Sequence, residues 1–340
     1  MAAGPVRVGE PEATPPSEDP GSPGRRFGPR RIAETAAALV LLYFLGAYLA
    51  RHWAEIASYP WQVAPGPLLA ASALATVSLA AGAGTWIGIL RAMGERVGMR
   101  EALPVYFVAA LARYIPGKLW QLSGLFYLSR RRGIDAMHAL AASVLLQVLV
   151  IAVGLLLFVV TLPARLAEIG GLGAEVAVPA VAAILVALYL SPAFERLYAW
   201  ALKLLGRPPI AERFSVRQKL VLGAGVCLLW ISWGLSFWLF VGATTGRYPP
   251  LVPALGICAA GYVGGFLAFF SPGGLGVRES LYAILLGPYV PPSVALAVAL
   301  VNRVWLTLIE IGLALVSLGL AARRDFTAPE TPEARLTSDA

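Results

Sequence analysis

The chain has 340 residues, of which 58% are hydrophobic and only 14% charged, with a formal net charge of +8. Soluble domains carry about 25% charged residues, so this balance excludes an ordinary soluble enzyme and predicts a multi-pass membrane protein. The positive excess reads as basic cytoplasmic loops, not as a nucleic-acid surface.

Residues 1–31 are rich in proline, glycine and charge and are expected to form a disordered cytoplasmic tail. The first apolar run starts too late, and lacks a suitable cleavage site, to be a removed signal peptide. It is expected to remain as an anchor. Apolar segments fall at 32–49, 68–90, 103–129, 136–161, 174–190, 220–241, 251–286 and 293–321. They define a membrane domain over 32–322. Residues 323–340 form a short polar tail, expected to be cytoplasmic and too short for a catalytic domain.

Two of these segments are broken. The segment 103–129 contains Arg113, Pro116, Gly117 and Lys118. The segment 251–286 contains Pro272, Gly273, Gly274, Gly276, Arg278 and Glu279. A Pro-Gly break with charges at mid-depth does not suit a plain spanning helix. If both segments cross the membrane, basic residues divide almost evenly between its two sides. If both are re-entrant hairpins, only Arg51, Arg165 and Arg247 lie outside. Arg113, Lys118, Arg278 and Arg303 then lie within the membrane, and the other 20 of 27 basic residues are inside. The positive-inside rule selects the second topology. The predicted fold is therefore all-α and integral to the membrane, with six spanning helices, two re-entrant helical hairpins and cytoplasmic termini.

The order span, hairpin, span occurs twice, over about 68–161 and 220–321. The extra span 174–190 inverts the second copy. Pro116-Gly117-Lys118-Leu119 and Pro272-Gly273-Gly274-Leu275 align at an offset of 156, which also places Gln147 on Arg303. This is the pattern of an inverted-topology repeat, in which transporters place the substrate near the midplane.

Each Pro-Gly tip should begin a half-helix, over about 119–128 and 277–286. Their N-termini carry partial positive charge toward the membrane centre. Arg113, Lys118 and Arg278 lie beside these tips, so the expected ligand is an anion, with arginine suited to phosphate. Glu279 is expected to pair with Arg113 or Lys118; the other reading is a titrating group that couples movement to protons. On the last segment Arg303, Thr307, Glu310 and Ser317 share a helix face, beside Asn302. Arg303 could contact phosphate or pair with Glu310. Cys227 and Cys258 read as small core residues, and His52 and His138 are too few and too far apart for a metal site. No nucleotide loop, metal cluster or nucleophile–base set is legible, so neither a cofactor nor an enzymatic activity is expected.

The stretches Ala112-Arg113-Tyr114-Ile115-Pro116-Gly117-Lys118-Leu119-Trp120-Gln121 and Phe270-Ser271-Pro272-Gly273-Gly274-Leu275-Gly276-Val277-Arg278-Glu279 resemble the two hairpin motifs of the lysylphosphatidylglycerol synthase transmembrane-region, or flippase-like, family. The resemblance covers about residues 32–322. It implies a bacterial or archaeal plasma-membrane protein that moves lipids or handles lipid-linked sugars. The soluble aminoacyl-transferase domain of the lysylphosphatidylglycerol enzymes has no counterpart here, so lysyl transfer is not expected. The leading expectation is a translocator of an anionic phospholipid or a polyprenyl-phosphate-linked glycan. The alternatives are a small-anion channel or exchanger, and a non-transporting accessory subunit of a membrane glycosyltransferase.

Overall fold

The computed structural model describes residues 43, 46–48, 50–112, 119–161, 184, 187–193, 196, 199, 214–268, 274 and 276–325. Nine helices are labelled here: α1 (Trp53–Ser58), α2 (Pro65–Ala92), α3 (Met99–Leu111), α4 (Leu119–Arg131), α5 (Ala136–Thr161), α6 (Val216–Thr245), α7 (Leu251–Leu267), α8 (Val277–Leu286) and α9 (Pro292–Asp325). Among the described residues there is no strand.

Local sequence sets the helix ends. Pro65 starts α2 after an extended Ala64, the position where a missing N–H costs nothing. Ser215 caps α6: its Oγ accepts from the Gln218 N–H at 3.2 Å, and Gln218 Oε1 accepts from the Ser215 N–H at 2.7 Å. Gly246, at φ +68°, closes the same helix by donating its N–H to the Gly242 carbonyl.

Among the described residues four helices are long and apolar enough to cross a membrane: α2, α5, α6 and residues 292–322 of α9. Their outward faces carry exposed apolar side chains, such as Leu220, Val221, Ile231, Val304, Leu308 and Leu315. That exposure is expected where lipid, not water, is the solvent. The protein is thus an integral membrane helical protein. The predicted spans 32–49 and 174–190 lie largely outside the described residues.

The two broken segments are each a pair of short helices, α3 with α4 and α7 with α8. Neither member reaches the length of a span. The second pair is antiparallel: Gly265 meets Arg278, while Gly261, earlier in α7, meets Tyr282, later in α8. A side chain at Gly261 would overlap the Tyr282 ring. The small residues Gly261, Gly264 and Gly265 are what let the two backbones approach. At the other pair, Glu95 before α3 binds His138 after α4 at 2.6 Å, so α3 begins and α4 ends at the same end of the bundle.

α2 and α6 form the central and most extensive pair. Ser78 Oγ donates to the Leu229 carbonyl at 2.9 Å, and Ser236 Oγ donates to the Ala71 carbonyl at 2.7 Å. As numbers rise along α2 they fall along α6, so the helices are antiparallel. The two bonds are images of one another: Ser78 and Ser236 are 158 residues apart, as are Ala71 and Leu229.

The wider packing obeys the same exchange. Swapping α2 with α6, α3 with α7, α4 with α8 and α5 with α9 turns α5 on α7 into α9 on α3. The same swap turns α8 on α9 into α4 on α5, and α5 on α6 into α9 on α2. The pairs α7 on α8, α6 on α7 and α2 on α5 likewise have counterparts in α3 on α4, α2 on α3 and α6 on α9. The helix contacts therefore follow a pseudo-twofold pattern that exchanges the two members of the antiparallel α2–α6 pair.

Candidate anion site at the second hairpin tip

The tip is built around glycine. Gly274 sits at φ +71° and Gly276 at φ +83°, a region that side chains other than glycine's disfavour. A Cβ on Gly274 would also lie 2.7 Å from the Gly265 carbonyl oxygen. These two residues fold the chain back against the end of α7 and launch α8 at Val277, the start expected from the sequence.

Glu279 then occupies the first turn of α8. Its Oε2 accepts from the Gly276 N–H at 2.7 Å, and its Oε1 accepts from Arg303 Nη1 of α9 at 2.7 Å. The Glu279 side chain is 1% exposed and that of Arg303 16% exposed. This is a buried, doubly bonded ion pair that ties the tip to the last helix.

Glu279 is paired with Arg303 of the packed neighbour α9. Arg113 and Lys118, the partners expected from the sequence, lie outside the described residues. Arg303 therefore reaches across to α8 and is not committed to its own helix alone. Part of the positive end of α8 is also satisfied internally, by the Glu279 carboxylate, and is not left open as expected.

Arg278 points elsewhere, because consecutive helical residues do not share a face. Its guanidinium lies 5.6 Å from the Trp233 ring centroid and 5.4 Å from that of Tyr282. Its Nη2 is fully shielded and has no hydrogen-bond partner. The aromatic faces offset part of the burial cost of the charge, but they leave the Nη2 donors unused. Glu279 and Arg303 neutralise each other, so among the described residues of the tip Arg278 is the cation with a spare donor.

The aromatic wall continues from Trp233. Trp230 stacks on it at 5.4 Å, and Tyr262 meets it edge-on at 4.8 Å. The Tyr262 hydroxyl in turn bonds the Gln147 side-chain amide, accepting from Nε2 at 3.1 Å. Arg278, Trp233, Tyr262 and Gln147 come from α8, α6, α7 and α5, so the wall joins the two halves of the pseudo-twofold bundle. Trp233, Tyr262 and Gln147 are only half-buried.

Of the residues singled out from the sequence, Gly274, Arg278, Glu279 and Arg303 are brought together. Asn302 is buried beside Arg303 at 2% exposure, and Glu310 is buried two turns further along α9 at 9%. Arg113, Pro116, Gly117, Lys118, Pro272 and Gly273 lie outside the described residues. Sequence reasoning passed over Trp233, Tyr262 and Tyr282 as site residues, since apolar helices carry aromatics mainly for packing. The one usable signal was the glycine stripe of α7, which makes room for Tyr282. No group of three potential metal ligands occurs among the described residues.

Long apolar helices, paired short helices and a buried cation together define a multi-pass α-helical membrane protein. The family model described as lysylphosphatidylglycerol synthase TM region matches residues 31–313. The chain therefore belongs to that family, a class of membrane proteins of lipid metabolism or transport. The match covers the membrane region alone. No curated protein and no solved structure matches the chain.

Proposed function

We propose that the protein is a non-enzymatic translocator of an anionic lipid across the plasma membrane, with both termini in the cytoplasm. The substrate is a phospholipid or a polyprenyl-phosphate-linked glycan. The observation that carries this reading is Arg278, a shielded guanidinium with an unused donor at a half-helix start. Arginine's planar fork matches phosphate oxygens, and an unpaired charge at membrane depth is a functional group by default.

In this reading the lipid phosphate sits against Arg278, while the half-buried face of Trp233 and Tyr262 borders its glycerol or prenyl portion. Arg113 and Lys118 of the first tip complete the phosphate site. The paired short helices act as re-entrant hairpins entering from opposite sides. With six spans they make an inverted-topology repeat. The antiparallel α2–α6 pair supports this, since an axis across it lies in the membrane plane. Rocking of one half against the other would then alternate exposure of the site.

The test is reconstitution into vesicles holding fluorescent lipids, with leaflet exchange read by an impermeant quencher. The expected result is accelerated exchange of an anionic lipid over a zwitterionic one. No acceleration for any anionic lipid would overturn the proposal. Flux of inorganic anions without lipid exchange would favour a small-anion channel or exchanger. A co-purifying membrane glycosyltransferase without exchange would favour an accessory subunit.

A further inference from the structure

A basic cleft lies at the end of the bundle where α2 ends, α3 begins, α4 ends and α5 begins. The turn after α2 and the turn after α4 enclose an open cleft of about 730 Å³, lined by Arg96, Arg100 and Arg132 among others. All three arginines are exposed, and no guanidinium among them makes an ion pair or hydrogen bond with the described residues. Two neighbouring acids are already engaged. Glu95 binds His138, and Asp135 accepts the N–H groups of Met137 and His138 at 2.8 Å each, capping α5. Glu101 is the third acid of the cleft and is not free either. The unengaged charge in the cleft is therefore predominantly positive.

The cleft continues along α4. A second depression shares Glu95, Gly133 and Ile134 with it and extends to Arg130 and Phe126. Phe126 shares an exposed face of α4 with Leu122, one turn earlier, and the exposed ring of Tyr127 flanks that face. Arg130 lies 5.9 Å from the Phe126 ring and Arg131 4.9 Å from that of Tyr127. The surface thus changes along one groove from free guanidinium groups to apolar and aromatic side chains. An amphipathic anion matches both ends; a soluble anion uses only the first.

We propose that this groove is a docking site for an anionic phospholipid of the adjoining leaflet. The headgroup phosphate lies among Arg96, Arg100 and Arg132, and an acyl chain runs along Leu122, Phe126 and Tyr127 of α4. The site is separate from Arg278 and does not depend on transport. Its arginines are thereby more than orientation signals.

The test uses the full chain in phosphatidylcholine nanodiscs with a minor fraction of photo-crosslinkable phosphatidylglycerol, the adducts being mapped by mass spectrometry. Adducts are expected on the peptides of α4 and the turn after it. Replacing Arg96, Arg100 and Arg132 by Gln should weaken this labelling about fivefold per residue removed. Replacing all three by Lys keeps the charge that sets insertion and still weakens labelling severalfold, because ammonium lacks the fork. Labelling should fall at high salt, since the site is exposed, and should survive Arg278→Gln. Wild-type labelling in both triple variants would overturn the proposal. So would displacement of the probe by free glycerol phosphate as effectively as by unlabelled phosphatidylglycerol, which would mark a soluble-anion site.

Discussion

Glu279 and Arg303 hold the second tip to α9 through a single buried ion pair, and their removal should be unequal to their joint replacement. Taking away one partner leaves the other charged and uncompensated, at a cost of about 3–5 kcal/mol. Glu279→Gln and Arg303→Gln should each lower the thermal unfolding temperature in detergent. The double variant should cost clearly less than the two single costs added. Additive losses would show that the pair does not act as a unit. Arg278 is the contrasting residue: its Nη2 is shielded without a hydrogen-bond partner and its guanidinium lies against aromatic rings, not an acid, so Arg278→Gln removes a charge without stranding an opposite one. It should leave the unfolding temperature nearly unchanged.

At the scale of the element, the α7–α8 pair depends on the absence of side chains. Gly274→Ala combines a disfavoured φ with a clash against Gly265, and should cost at least about 2 kcal/mol. Gly261→Ala pushes on Tyr282 and so on the frame around Arg278. It should impair lipid movement more than stability, measured by exchange assay and thermal melt on the same preparation. Equal impairment of both would make the glycine purely structural. Much of this element was legible in the chain: the interruption between α7 and α8, the charge at Arg278 and the start of α8 at Val277 all follow from residue type and spacing. The partner of Arg303 was not legible. Glu279 is 24 residues away on another helix, and pairing between helices leaves no periodic trace. Nor did the sequence mark Trp233 or Tyr262, because an aromatic beside a buried cation and one in an ordinary apolar core look alike in a list of residues.

For the whole molecule, the pseudo-twofold packing makes symmetric predictions. The bonds of Ser78 and Ser236 are images across the α2–α6 pair. Ser78→Ala and Ser236→Ala should therefore cost similar, small amounts, about 0.6 kcal/mol each. A clear asymmetry in thermal melts would weaken the repeat. The topology is checked by impermeant thiol labelling of single cysteines in a background lacking Cys227 and Cys258. Sites at Met99 and Arg132 should label from one side of the membrane, and sites at Leu251 and Gly287 from the other. Labelling of Met99 and Arg132 from opposite sides would replace the first hairpin by a spanning segment. The tip offset of 156 and the α2–α6 offset of 158 differ by two residues, so no single offset aligns both in the sequence.

The central claim is that Arg278 is the anion-holding group of a lipid translocator. Its most direct test compares wild type with Arg278→Gln and Arg278→Lys in the vesicle exchange assay, at matched protein incorporation and unfolding temperature. The account predicts that Arg278→Gln slows exchange of anionic lipid about tenfold or more, with Arg278→Lys intermediate, because a point charge replaces the planar fork. Exchange by Arg278→Gln at the wild-type rate would contradict it.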